Sequence, residues 1–180
     1  KLGQLGHGNA LVSRAGAESD QQPKGEKGSA LSDACSLVPK RVDALRREFV
    51  LEVAAGDGHS LCHTRDGSLY AWGSNKSGQL GLRPTELGVL PGGGQGVNIP
   101  KKVFMEALSR GRNGVSAGHS IPGRIMQIAA SHNNSMLLCV SNATFSLISS
   151  KLVKEVYQWG HGLFTPVRVV FKEKKARTFS

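Results

Sequence analysis

Between Phe49 and Gly73 the apolar positions recur with a period of two, not the 3.6 of a helix. Phe49, Leu51, Val53 and Ala55 fall on one side of an extended chain, and Val50, Glu52 and Ala54 on the other, which predicts a strand. Further along, Leu69 and Ala71 alternate with Tyr70 and Trp72, so both faces are apolar and the strand they predict is covered on both sides. The segments GDG (56–58) and RDG (65–67) supply turn residues between these short runs, because Gly and Asp tolerate the backbone angles of tight turns.

The same phrases recur along the chain. GQLG stands at Gly3 to Gly6 and again 75 residues later at Gly78 to Gly81. VAAGDGHSL (53–61) aligns with IAASHNNSM (128–136), also 75 residues on, whereas LYAWG (69–73) aligns with VYQWG (156–160) at 87. The difference places a 12-residue insertion within SNATFSLISSKLVK (141–154). A Pro-led element recurs as VPKRV (38–42), IPKKV (99–103) and TPVRV (165–169). The chain's two Tyr and two Trp all occupy one slot: Tyr70 with Trp72, and Tyr157 with Trp159. Each repeat therefore reads as three or four short antiparallel strands, and small sheets pressed between neighbours are the arrangement of a β-propeller. The expected division is the end of a preceding repeat plus loop (1–37), a well-matched repeat (38–98), a degenerate repeat with the insertion (99–164) and the start of another (165–180). Arg14 to Ser32, Arg83 to Asn98 and Ser109 to Ser120 are polar and rich in Gly, Ser or Pro, and are expected to be loops that leave the blades.

Composition narrows the function classes. The 180 residues are 39% hydrophobic, enough for a core, and no apolar run approaches the roughly 18 residues of a membrane span. The chain starts at Lys1 inside a motif, so it is expected to be a piece of a longer protein. Cys35, Cys62 and Cys139 have neither CxxC spacing nor an even count, against a disulfide framework or a zinc site and in favour of a reducing, intracellular setting, cytoplasmic or nuclear. The net charge of +10 would suit an acidic partner such as nucleic acid, but the basic residues are spread out without interleaved aromatics, which favours a solvated surface.

The stretch VAAGDGHSLCHTRDGSLYAWGSNKSGQLGL (53–82) resembles a nearly complete repeat of the regulator of chromosome condensation family. The resemblance implies an all-β fold, about three blades' worth of a seven-bladed propeller with four-stranded antiparallel blades and long irregular loops. It gives structural roles in the repeat to Gly56, His59, Asp66, Gly67, Tyr70, Trp72 and Gly73, then to Asn75, Gly78, Gln79, Leu80 and Gly81. In the second copy it carries over to Tyr157, Trp159 and Gly160, while Ser131 replaces Gly56, Asn134 replaces His59 and the Asp66-Gly67 turn is lost into the insertion. That copy is accordingly expected to form an irregular blade. The direct run from Gly160 into Thr165-Pro166, without a GQLG turn, resembles the branch of proteins like the inhibitor of Bruton tyrosine kinase, which add ankyrin repeats and BTB domains.

No arrangement of residues predicts catalysis, a cofactor, a metal or a small-molecule substrate. His59 follows a tight turn, and the resemblance makes it a structural hydrogen-bonding residue. Adjacent Cys62 and His63 face opposite ways on a strand and do not converge on one ion. PGGGQGVN (91–98) lacks the GK[ST] ending of a phosphate loop and reads as an inter-strand loop, and the sequons at Asn133 and Asn142 would matter only in a secreted chain. The expected function is a non-enzymatic scaffold that binds a protein partner, in the adaptor sense if the BTB-containing branch applies. The alternative is guanine-nucleotide exchange on a small Ran-type GTPase with chromatin association. No partner-binding residue can be assigned from the sequence.

Overall fold

A computed structural model of the chain describes residues 3–8, 39–90, 92–104, 123–144 and 150–171, of which 141–144 and 150–152 are described by their backbone alone. The windows Arg14 to Ser32 and Ser109 to Ser120 lie outside the described residues. Nine strands are described: β1 (Val50–Ala55), β2 (His59–Thr64), β3 (Leu69–Ser74), β4 (Gly88–Val89), β5 (Gln95–Lys102), β6 (Arg124–Ser131), β7 (Asn134–Thr144), β8 (Ser150–Gly160) and β9 (Leu163–Arg168). Two single turns of 3₁₀ helix, Asp43–Leu45 and Pro84–Glu86, are the helical elements among these residues.

The strands form two antiparallel sheets, in the orders β1-β2-β3-β5-β4 and β6-β7-β8-β9. Their registers coincide once the two offsets are applied. Ser60 sits opposite Trp72 and Cys62 opposite Tyr70 in the first sheet, while Ser135 sits opposite Trp159 and Leu137 opposite Tyr157 in the second. The sequence repeat is therefore a repeat of strand pairing, and the sheets are successive blades of a partial propeller. The fourth strand of each blade contains a Pro-led element: β5 carries Ile99-Pro100 and pairs with β3, and β9 carries Thr165-Pro166 and pairs with β8.

Two expectations need correction. The 12-residue insertion does not make the second blade irregular. It lengthens the β7–β8 hairpin in unbroken register from Asn134↔Gly160 to Thr144↔Ser150, and the pairing at its base keeps the alternation of the first blade. Arg83 to Asn98 is not simply a loop. It holds a 3₁₀ turn, then β4 and the start of β5, joined through Gly93 and Gly94 at φ +79° and +86°. Backbone pairing with β3 makes this a strand, and such pairing needs no apolar period to announce it.

The second sheet packs its β6 against β1 and β2 of the first. Leu61, Leu69 and Ala71 from one blade meet Ile128, Leu137, Tyr157 and Trp159 from the other in one buried cluster. Equivalent positions that face outward from the pair lack this cover. Ile128, inside, is 4% exposed and its counterpart Val53 is 70% exposed; Leu61, inside, is 0% exposed and its counterpart Met136 is 38%. Burial thus follows whether a neighbouring blade is present and not the residue type.

Candidate functional site

The repeat's polar residues converge on the seam between successive blades. The carbonyl of Gln79, at the GQLG turn that leaves the first blade, accepts two hydrogen bonds from the second: from Trp159 Nε1 at 2.9 Å and from Ser135 Oγ at 2.7 Å. One repeat earlier the carbonyl of Gln4 accepts from Trp72 Nε1 at 2.8 Å and from Ser60 Oγ at 2.9 Å. Each GQLG turn therefore latches the indole of the blade that follows. The last glycine of the turn is required for that approach. A Cβ on Gly81 would stand 2.9 Å from Trp159 Nε1, and one on Gly6 would stand 2.8 Å from Trp72 Nε1. Both glycines also have positive φ, +63° and +70°.

The turn itself is held from within. Leu80 N donates to Asn75 Oδ1 at 3.0 Å and Ser77 N to Gln79 Oε1 at 2.8 Å, while Gln79 Nε2 reaches Asn133 Oδ1 of the next blade at 3.2 Å. Asn75, Gln79 and Leu80 are all buried. A Cβ on Gly78, at φ +81°, would meet the Leu163 carbonyl at 2.7 Å. Gly73 and Gly160, which follow the two tryptophans, lie so close to the carbonyls of Gly58 and Asn133 that a Cβ would come within 2.4 and 2.1 Å. At the other end of the β2–β3 hairpin, Asp66 accepts from the hydroxyls of Thr64 and Ser68, which holds its carboxyl below the usual range, and Gly67 turns the chain at φ +84°. These short-range bonds account for the turn.

His59 lies inside the seam. Its Nε2 is 2.9 Å from Ser135 Oγ, and since that hydroxyl gives its proton to the Gln79 carbonyl, Nε2–H is the donor. Its Nδ1 is buried without a hydrogen-bond partner. Burial pushes the imidazole below its ordinary value of 6.5, against smaller opposing effects of the Asn134 backbone and Asp57, so the ring is neutral near pH 7. A Cβ on Gly56 would stand 2.3 Å from His59 Cε1, which explains why glycine and histidine occur together in the first copy. Where Asn134 replaces the histidine, Ser131 replaces the glycine.

Other cross-seam contacts had no signal in the sequence. Glu52 Oε2 accepts from Ile128 N at 3.0 Å and lies 3.3 Å from Nε2 of buried His63. Asp57 and His132, equivalent turn residues of the two blades, hydrogen-bond side chain to side chain at the solvent edge. In the second blade Tyr157, buried, donates to Glu155 at 2.9 Å, and Arg168 donates to the other oxygen at 2.8 Å; burial and the Glu155 bond raise the phenol's pKa. Tyr70, its counterpart, is only partly buried, and burial raises its pKa as well. The two described thiols are buried and poor nucleophiles: burial, with the Glu48 charge, pushes Cys62 up to about 12, and burial with Glu155 pushes Cys139 up to about 11. Among the described residues no three His, Cys, Asp or Glu side chains form a metal-binding group. The seam's arrangement joins blades; its chemistry is hydrogen bonding.

Residues 50–79 and 66–138 match family descriptions of the Regulator of chromosome condensation (RCC1) repeat. The Ultraviolet-B receptor UVR8 of Arabidopsis thaliana is 34% identical over 82 residues, covering 46% of this chain and 13% of that protein. Protein RCC2 homolog of Xenopus laevis is 49% identical over 45 residues, 25% of this chain and 9% of that protein. The E3 ubiquitin-protein ligase HERC2 of Homo sapiens is 29% identical over 124 residues, 69% of this chain and 2% of that protein. The chain thus spans only a small part of the length of these relatives. Among solved structures, Prp20p from Saccharomyces cerevisiae overlaps 74% of this chain and 27% of its own at a TM-score of 0.45 and 20% identity. Residues 50–138 thus match Regulator of chromosome condensation (RCC1) repeats, and the two sheets, in matching register and latched by GQLG turns, are blades of a partial β-propeller.

Proposed function

We propose that this chain belongs to a non-enzymatic protein-interaction scaffold of propeller blades. The observation that carries the reading is the seam: His59, Asn75, Gln79, Ser135 and Trp159 are buried and hydrogen-bond across or beside it. These motif residues serve the framework, which leaves binding to the loops and outer surfaces. The relatives support this division, since a light receptor and a ubiquitin-protein ligase share the repeat although their named activities differ. In its narrower form the scaffold is an adaptor that recruits a partner to a ligase. Support for that form comes from the direct β8–β9 turn at His161-Gly162, a shortened ending that resembles the BTB-containing branch.

The test sets the scaffold against nucleotide exchange on a Ran-type GTPase. The full-length protein is added to the nucleotide-loaded GTPase, and release is followed by fluorescence. Release unchanged within about twofold, together with recovery of a ligase subunit or its cargo by affinity capture, is the expected result. Release accelerated about tenfold or more, equivalent to about 1.4 kcal/mol off the barrier, would overturn the scaffold reading.

A further inference from the structure

The insertion within the second repeat builds something the first blade lacks. Pairing between β6 and β7 ends at Arg124↔Val140, and pairing between β8 and β9 stops at Tyr157↔Arg168. Beyond those points Ser141 to Thr144 and Ser150 to Val153 pair only with each other among the described residues, as a two-stranded ribbon in continuous register. In the first blade β2 and β3 are six residues each and end at the turn around Asp66-Gly67; β7 and β8 are eleven each. A ribbon of two strands is marginal alone in water, and each of its outer edges presents alternate backbone N–H and C=O groups.

Resting on the scaffold reading, we propose that this ribbon is a docking arm that takes an extended, acidic peptide segment of a protein partner by strand addition. The geometry supplies the mode, because a free strand edge matches the hydrogen-bonding period of another peptide backbone. The charge supplies the chemistry. From Asn134 to Lys154 the chain holds Lys151 and Lys154 and no Asp or Glu, and Arg124 stands at the ribbon's root, opposite Val140. The first carboxylate beyond, Glu155, accepts from both Tyr157 and Arg168. Lysines on an edge repel a second copy of the same ribbon and attract a strand that carries carboxylates. Nucleic acid fits less well: the described part of the ribbon has no aromatic residue on which a base would stack.

The probe is a fluorescent synthetic peptide that alternates glutamate with valine and threonine, titrated against the full-length protein at near-physiological salt. Controls are the same peptide with lysine for glutamate, the same peptide N-methylated on alternate residues, and a single-stranded DNA. One variant replaces Ser141 to Val153 by an Asn-Gly turn, which closes the hairpin on the Val140↔Lys154 pair; a second, Lys151→Glu with Lys154→Glu, keeps the backbone edge. The expected result is that the glutamate peptide binds, with affinity about tenfold weaker for each variant, for the lysine peptide and for the N-methylated peptide. Equal binding by wild type and both variants, no binding of the glutamate peptide to wild type, indifference to N-methylation, or tighter binding of the DNA would each overturn the arm. If the shortened variant still captures the same partner as wild type without accelerating nucleotide release, the scaffold stands and the arm alone falls.

Discussion

Trp159 Nε1 and Ser135 Oγ converge on one acceptor, the Gln79 carbonyl, at 2.9 and 2.7 Å, and Trp72 with Ser60 repeats the arrangement on Gln4. The tryptophan of each WG strand is thus tied to the turn of the blade before it. This places a hydrogen-bonded constraint between blades, where a stack of small sheets needs one.

Removing the ring should be costly. Trp159→Ala is expected to destabilise by about 3 to 5 kcal/mol, since the indole is fully buried in the seam. Trp159→Phe keeps most of the packing and loses the donor, so a smaller cost of about 1 kcal/mol is expected from the hydrogen bond. Urea unfolding of the two variants measures both. An effect of Trp159→Ala below about 1 kcal/mol would mean that the ring does not hold the blades.

Gly56 and His59 should behave as a pair. Gly56→Ser drives a Cβ into the His59 ring and is expected to destabilise by about 1 to 3 kcal/mol. Adding His59→Asn, the combination found at Ser131 and Asn134, should recover part of that loss; the His132 carbonyl, 2.6 Å from the same Cβ, remains. Fully additive costs in thermal unfolding would show that the two positions are independent.

The fold was legible where the signal was local. Alternating residues announced β1 and β3, and the shared slot of Tyr70-Trp72 and Tyr157-Trp159 announced the repeat. The two offsets then fixed which strands correspond, as the matched registers show. The latch was not legible, because its acceptor is a backbone carbonyl and its donors lie 56 and 80 residues away. Gly6 and Gly81 read only as turn residues, although the approach of an indole also excludes a side chain there. The β4–β5 hairpin was hidden for a different reason: its Gly- and Pro-rich sequence has no apolar period, and pairing with β3 decides its conformation.

Acid should loosen the seam through His59. Its folded pKa lies below 6.5 because burial disfavours the imidazolium, while the unfolded ring titrates near the ordinary value. Between the two values the unfolded chain binds the extra proton. The contribution is therefore complete above about pH 6.5 and is lost as the pH falls toward the folded value. The urea midpoint should drop from about pH 7.5 to about pH 5.5, and His59→Asn should flatten that dependence. An unchanged slope in the variant would remove His59 from the account.

Cys62 and Cys139 should resist alkylation in the folded protein at mildly alkaline pH, since both are buried with thiols raised to about 12 and about 11. Mass spectrometry after iodoacetamide treatment should find them modified only once denaturant is added. Rapid labelling of either thiol under native conditions would show that its sheet opens readily.

The shared acceptor can be tested by a double-mutant cycle of Ser135→Ala and Trp159→Phe in urea unfolding. Either donor alone still satisfies the buried Gln79 carbonyl, whereas losing both leaves it without a partner. The bond from His59 to Ser135 is lost in the single and the double variant alike, so it cancels from the coupling. The double variant is predicted to cost about 1 kcal/mol or more beyond the sum of the singles. Additivity within about 0.5 kcal/mol would contradict the latch.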